Sequence, residues 1–270
     1  MTAVLGTSVA VLPDDDRPAL LISDLHVPAD GGEVARVLWG VLQLAQRTGA
    51  RLFVLGDLFD SYVSPAQVRV GIWREVAERF AAAVAAGVQI HVLVGNRDFL
   101  LGPEFARAAG VQLASGGLLV RLGGRRTLLL HGDELCQNDL PYQRAKRWLR
   151  HPLTRWVARR LPLRQALAVA ERARRRSQRV IQSGDQQRFL PTGAAVEAAF
   201  ATGAVQLVFG HIHRHATGVV PGGGRYWVLP AFDSTAIGLQ ADAGGLRAVR
   251  FAASGGEPER APAPPACTFP

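Results

Sequence analysis

Five places in the chain gather side chains able to hold a divalent cation or move a phosphoryl group. They are Asp24-x-His26, Gly56-Asp57-x-x-Asp60, Gly95-Asn96-Arg97-Asp98, His131-Gly132-Asp133 and Gly210-His211-x-His213. Side chains two apart on an extended segment point the same way, so Asp24 with His26, and His211 with His213, can each reach one ion. Asp57, Asn96 and His131 add one oxygen or nitrogen donor each. Carboxylate, amide oxygen and imidazole together suit Mn²⁺, Fe²⁺ or Zn²⁺ better than Ca²⁺ or thiolate-bound zinc. Seven donors are too many for one ion and fit two ions that share a carboxylate. The expected cofactor is therefore a pair of divalent ions, manganese first, with iron or zinc also suited. Such a pair activates a water and neutralises phosphoryl oxygens during in-line attack, which is the chemistry of phosphoester hydrolysis.

The elements that must position these groups are also legible. Each cluster follows a short apolar run: Ala19–Ile22, Leu52–Leu55, Ile90–Val94, Thr127–Leu130 and Val205–Phe209. These runs are mostly β-branched or Leu and are bounded by Gly, as buried strands are. Helical patterns separate the first three. In Glu33–Arg47 one face carries Val34, Val37, Leu38, Val41 and Ala45, and Trp73–Ala86 is rich in Ala. Alternating strands and helices predict an α/β domain with largely parallel strands. Ligand sites in such sheets lie beyond the carboxyl ends of the strands, where all five clusters fall. Two later runs, Tyr226–Leu229 and Leu246–Phe251, have no helix between them and predict a second, antiparallel-flavoured sheet stacked on the first. Gly222-Gly223-Gly224 reads as a hairpin turn and not a phosphate loop, because no helical pattern follows it. The tail from Pro258 to Pro270 holds five prolines and is expected to be disordered.

At 270 residues, 48% of them hydrophobic, the chain fits one large domain or one domain with a sizeable insertion. No apolar run approaches the ~20 residues that span a bilayer. The N-terminus has no basic region ahead of its short apolar stretch, and Asp14, Asp15 and Asp16 follow it, so a cytoplasmic location is expected. Cys136 and Cys267 imply no disulfide framework. The net charge of +9 is unevenly spread. Arg144 to Arg179 holds 13 Lys or Arg and one acid, a local +12, which leaves −3 for everything else. In that segment Trp148, Leu149, Leu153, Trp156, Val157 and Leu161 interleave with Arg147, Arg150, Arg155, Arg159 and Arg160. Three readings are open: an amphipathic cationic element for an anionic membrane surface or an acylated, phosphorylated ligand; a nucleic-acid arm; or a solvated helical hairpin. The combination of cationic and apolar faces favours the first, with peripheral contact at the inner face of a membrane.

Other polar residues are less informative alone. His91 falls mid-strand and reads as structural, and His151 belongs to no motif. His215 reads as a rim residue or a spare ligand. Asp60, Asp98 and Asp133 suit either a supporting role behind the ligands or the capping of loops.

The order Asp-x-His, Gly-Asp-x-x-Asp, Gly-Asn-x-Asp, His-Gly-Asp, Gly-His-x-His, from Ser23 to His213, resembles the calcineurin-like metallophosphoesterases. The resemblance implies a four-layer α/β/β/α sandwich, in keeping with the two sheets. It implies one metal on Asp24, His26, Asp57 and His213, and a second on Asp57, Asn96, His131 and His211, with Asp57 bridging. Within that family, Gly95–Gly102 and His131–Cys136, followed by Asp139 and Tyr142-Gln143, resemble the branch that hydrolyses the pyrophosphate of UDP-2,3-diacylglucosamine. That branch attacks the UDP α-phosphorus and releases UMP and a lipid sugar 1-phosphate. It carries a basic, apolar helical insertion where this chain has residues 144–179. The resemblance thus implies a core of 1–143 and 180–257, an acylated UDP-sugar substrate, and substrate contacts at Asn96, Arg97, Asp139, Arg174 and Ser177.

The chain departs from the branch at Asp60-Ser61-Tyr62-Val63-Ser64-Pro65, at Ile181 and Gly184, and at Ile212 between the paired histidines. These departures leave the metal ligands intact and the exact substrate open, a general nucleotide pyrophosphatase or phosphodiesterase being the alternative. A scaffold that has lost its metals is disfavoured because all seven ligand positions are filled. Arg97 bears on the choice. Many relatives have a His there, able to protonate an alkoxide. Arg cannot donate a proton near neutral pH. A pyrophosphate expels a phosphate monoester, which is stable as an anion, and a fixed guanidinium suits that developing charge.

Overall fold

The computed structural model describes residues 2–149, 151–183 and 186–270, the side chains of 2, 152, 174, 176–183 and 186 excepted. In chain order, β1 (Thr2–Val4), β2 (Thr7–Val11) and β3 (Ala19–Ile22) lead to α1 (Gly32–Thr48) and β4 (Arg51–Val54). Then come α2 (Gly71–Ala85), β5 (Ile90–Leu93), α3 (Pro103–Ala109) and β6 (Gln112–Ala114). The hairpin β7 (Gly117–Leu122) and β8 (Arg125–Leu129) precedes three helices, α4 (Leu140–Leu149), α5 (Pro152–Ala158) and α6 (Leu163–Ser183). After them lie α7 (Gly193–Ala199), β9 (Gln206–Phe209), β10 (Ala216–Val219), β11 (Arg225–Val228) and α8 (Phe232–Thr235). The last strands are β12 (Ile237–Asp242), β13 (Gly245–Arg250) and β14 (Glu259–Arg260).

The strands form two seven-stranded sheets, ordered β1-β2-β7-β8-β9-β11-β10 and β14-β13-β12-β3-β4-β5-β6. Successive strand residues face opposite sides of a sheet, and here both sides are buried. Leu20 and Ile22 of β3, Leu52 and Val54 of β4, and Ile90 and Val92 of β5 turn outward against α1, α2 and α3. Ala19, Leu21, Phe53 and Leu93 turn inward to meet Leu118, Leu129 and Val208 of the other sheet. Leu128, Leu207 and Phe209 face the far side, under Ala195, Val196 and Ala199 of α7. The result is an α/β/β/α sandwich. The alternation between two cores explains why these strands read as continuous apolar runs.

The pairing differs from expectation in one respect. The five ligand-bearing runs divide between the sheets: β3, β4 and β5 lie in one, β8 and β9 in the other. The later strands β11 and β13 also separate, β11 pairing with β9 in parallel and β13 with β12 in antiparallel fashion. Short apolar runs carry no record of their partner, so sheet membership was not readable from them.

The helices that carry the basic run of residues 144–179 extend past it on both sides, α4 from Leu140 and α6 to Ser183. The first turn of α4 is set by Asp139, whose side chain accepts from the Tyr142 N–H at 3.4 Å. The tail expected to be disordered is instead packed. Glu259 and Arg260 pair with Arg250 and Val249 on β13, and Ala266 bridges to Thr217. Phe269 packs against Tyr226 and Phe209 with its ring tilted, ring centres 5.6 and 6.2 Å away. Proline lacks an N–H but suits extended sheet edges, so a proline-rich stretch ending in one aromatic anchor can be ordered.

Candidate metal centre

The carboxyl ends of β3, β4 and β5 meet those of β8 and β9, and the loops beyond them are sewn together by backbone bonds. The Asp24 and His26 N–H groups donate to the Gly56 and Asp57 carbonyls at 3.2 and 3.0 Å, and the Gly210 N–H donates to His131 O at 2.8 Å. Asp24, His26, Asp57, His211 and His213 all have positive φ, between 45° and 69°. Only Leu5 and Ala236 share that conformation among the other described non-glycine residues. It costs L-residues energy and persists where surroundings over-determine it, most often at functional sites. The glycines ahead of the ligands have a packing reason. A Cβ on Gly95 would strike the Asp57 backbone and carboxylate, and one on Gly210 would strike Ser23 and Asp24.

All seven expected donors converge. His131 Nε2 lies 2.9 Å from Asn96 Oδ1 and 3.8 Å from Asp57 Oδ1. His211 Nδ1 lies 3.1 Å from the same Asn96 oxygen. His26 Nε2 lies 3.4 Å from Asp57 Oδ2, and His213 Nε2 3.3 Å from Asp24 Oδ1. Ligand atoms of Asp24, His26 and His213, and of Asp24, Asp57 and His131, sit within 4.8 Å of one another. Most are deeply buried, and Asp24 Oδ1 and His26 Nε2 have no hydrogen-bond partner. His131 donates Nδ1–H to the Leu55 carbonyl at 2.8 Å, so its Nε2 lone pair faces two oxygens that are also acceptors. With the imidazole neutral, that lone pair and the oxygen lone pairs point into one space, an arrangement a divalent cation fits.

The electrostatics agree. Burial pushes His26 toward the neutral form, but Asp233 and Asp57 outweigh it and raise its pKa to about 9. Burial opposes charge on His131 too, and Asp57 and Asp24 raise it to about 9. Asp24 and Asp57 are held low by neighbouring histidines despite their burial. His211 is driven down to about 4 by burial and by His131. A field that draws protons onto two buried imidazoles will draw a cation in their place.

The supporting aspartates have distinct partners. Asp60 holds Arg97, accepting from Nη1 at 2.8 Å, while the Arg97 backbone N–H donates to Asp57 Oδ1 at 2.9 Å. Asp98 caps two loops, accepting from the Gly95 and Leu58 N–H groups, and burial and Asp57 raise its pKa to about 7. Asp133 reaches the insertion, accepting from Tyr142 at 2.6 Å and pairing with Lys146 at 2.8 Å. Asp139 pairs with Arg188 at 3.4 Å. The side chains of Arg174, Ser177 and Ile181, and all of Gly184, lie outside the described residues. His91 stacks on Phe53, and His215 contributes to no metal cluster among the described residues. The departure at 61–65 makes a closed cap: Gln67 accepts from Val63 and Ser64 N–H and donates to Ser61 O. Sequence reasoning missed Asp233, which meets His26 Nδ1 at 3.0 Å. It lies five residues beyond β11, on the short helix α8, so its position lacks the two- or three-residue spacing of the first donor after each ligand-bearing strand.

Residues 17–215 match the family described as calcineurin-like phosphoesterase. The UDP-2,3-diacylglucosamine hydrolase of Pseudomonas aeruginosa is similar, at 34% identity over 86% of this chain and 98% of its own length. The hydrolase of the same name from Pseudomonas putida is 33% identical with the same coverage. Among solved structures, a dimetal phosphatase from Danio rerio is similar at 14% identity and a TM-score of 0.43, covering 88% of this chain and 100% of that one.

Proposed function

The chain belongs to the calcineurin-like phosphoesterase family, and from that premise we propose that it hydrolyses the pyrophosphate bond of an acylated UDP-sugar of the UDP-2,3-diacylglucosamine type. Asp24, His26, Asp57 and His213 would hold one divalent ion, and Asp57, Asn96, His131 and His211 the other, with manganese the best-suited metal. When bound, the two ions supply an activated water and charge neutralisation at the phosphorus under attack. Arg97 faces the same point. Asp60 braces its guanidinium, and its Nε lies 3.8 Å from Asp57 Oδ2. It holds the phosphate and stabilises the charge that develops on the departing phosphate monoester, which needs no proton. Asn96, Asp139, Arg174 and Ser177 complete the proposed substrate contacts.

The observation that carries the substrate class is the surface of the insertion. Trp148 is 67% exposed, Leu153 63% and Trp156 52%, on helices otherwise rich in arginine. Arg160 lies over the Trp156 ring, 3.7 Å from its centre. Apolar side chains among cations suit acyl chains beside phosphates, and a membrane surface that presents them. No helix among the described residues is long and apolar enough to cross a membrane, so contact would be peripheral, at the inner face. The similarity to proteins named UDP-2,3-diacylglucosamine hydrolase supports the same reading. The test is UMP release by the Mn²⁺-loaded protein from UDP-2,3-diacylglucosamine and from UDP-glucosamine without acyl chains. Strong preference for the acylated substrate is expected. Equal turnover of both would return the protein to the general nucleotide pyrophosphatases.

A further inference from the structure

His26 turns Nε2 toward the proposed metal pair, and its other ring nitrogen, Nδ1, meets Asp233 Oδ2 at 3.0 Å. An ionised carboxylate only accepts, so on a neutral imidazole the proton sits on Nδ1 and the Nε2 lone pair is free to bind metal. Asp233 lies outside the five sequence clusters, yet its place is firmly set. It is the second residue of α8, whose first residue, Phe232, donates its N–H to the Ser23 and Asp24 carbonyls at 3.2 and 3.1 Å. The Phe232 ring is buried beside Phe251. The strand end that carries Asp24 and His26 therefore also anchors the short helix that brings up Asp233.

The second ligand group offers a contrast. His131 is oriented by the Leu55 carbonyl, a neutral acceptor that no side-chain change removes. His26 is oriented by a charged and replaceable one. With a side chain 36% exposed, Asp233 keeps contact with solvent, so its carboxylate is not shut off from water as the buried ligands are.

We propose that Asp233 is a positioning residue that fixes His26 as its Nδ1–H tautomer and strengthens Nε2 as a donor to one of the two ions. This inference rests on the two-ion reading above. A carboxylate behind a ligating histidine makes it more basic and locks the ring, and losing such a partner costs roughly 10–100-fold in metal affinity.

The experiment is calorimetric titration of Mn²⁺ into the metal-free full chain, for the unmodified protein, Asp233→Ala and Asp233→Asn. It is paired with long-range ¹⁵N–¹H spectra of the Zn²⁺-loaded proteins, in which His26 signals are assigned by their loss in His26→Ala. The unmodified protein is expected to bind two ions, with His26 in the Nδ1–H form. Asp233→Ala should weaken one ion by roughly 10–100-fold and leave the other nearly unchanged. Asp233→Asn keeps an acceptor without the charge and should fall between. If the unmodified protein binds two ions and Asp233→Ala binds both equally well, the positioning role is wrong while the two-ion reading stands. A drop in thermal midpoint with no site-selective loss and an unchanged tautomer would equally overturn it, as a merely structural contact. If the unmodified protein fails to bind two ions, the two-ion reading falls and this inference falls with it.

Discussion

The floor of the site and the helices beside it are built on opposite rules. On the floor, Asp24, Asp57 and His131 are almost fully buried, their loops are cross-linked by backbone bonds, and five of the seven donors sit in left-handed backbone. In the insertion, α4 has no buried residue, and large apolar side chains point into solvent. Among the described residues, polar ties between the regions include Asp133 to Tyr142 and Lys146 and Glu104 to Arg159, and Ala158 of α5 supplies an apolar one, packed against the core. On the proposed reading, chemistry is fixed where polar groups are buried and over-determined, and substrate choice is left where apolar groups stay exposed. Damage to the floor should therefore spare no substrate, and damage to the helices should matter only for acylated ones.

The largest effect is expected from Gly95→Ala. The added Cβ must displace Asp57, the proposed shared carboxylate. Each ion contributes several kcal/mol to the transition state, so hydrolysis of any phosphoester should fall at least ~10³-fold. Steady-state rates, with folding checked by circular dichroism, measure it. A rate loss confined to the acylated substrate would break the division between the regions.

Next comes Arg97→Ala. Turnover of a UDP-linked pyrophosphate should fall by roughly 10²–10³-fold while Mn²⁺ affinity stays close to that of the unmodified protein. Recovery of full turnover by Arg97→His would point to a proton donor and against anion stabilisation.

The pH dependence of metal binding sharpens the account of the floor. In the metal-free protein His26 and His131 are each raised to about 9 and so carry protons at neutral pH. Each must lose its proton to bind metal. Affinity should rise with pH, by up to about tenfold per unit at each ion, and level off above about 9. Calorimetry in buffers of different ionisation enthalpy reads the released protons directly. Affinity that is flat between pH 7 and 9 would contradict the cluster's field.

The smallest effect belongs to the helices. Trp148→Ala and Trp156→Ala should each lower kcat/KM for the acylated substrate by about tenfold, as ~1–2 kcal/mol of apolar contact is lost. The unacylated substrate should be hydrolysed as before.

How much of this was legible beforehand differs by region in the same way. The floor was readable because its donors recur in order at strand ends, and Gly-Asp, Gly-Asn and Gly-His pairs record the close approach that Gly95 and Gly210 permit. The backbone strain at Asp24 or His213 left no trace, since nothing in their residue type announces a positive φ. Asp233 was hidden because a lone aspartate after a strand is commonplace until His26 is placed beside it. The basic run of residues 144–179 was recognisable by charge, but charge marks composition and not helix ends, so the helix limits at Leu140 and Ser183 were not readable from it. The tail misled because five prolines outweigh a single Phe269 in any compositional reading, while in space that one ring covers Tyr226 and Phe209. Sheet membership was unreadable for a simpler reason: β8 and β9 look like β3 and β4 when both faces are buried.

The central claim is a pair of ions sharing Asp57, and anomalous scattering from Mn²⁺-soaked crystals addresses it most directly. Two peaks are expected, roughly 3.5–4 Å apart as in other two-metal sites. Asp57 should lie between them, His26 and His213 on one side, and Asn96, His131 and His211 on the other. A single peak, or a pair remote from Asp57, would contradict it.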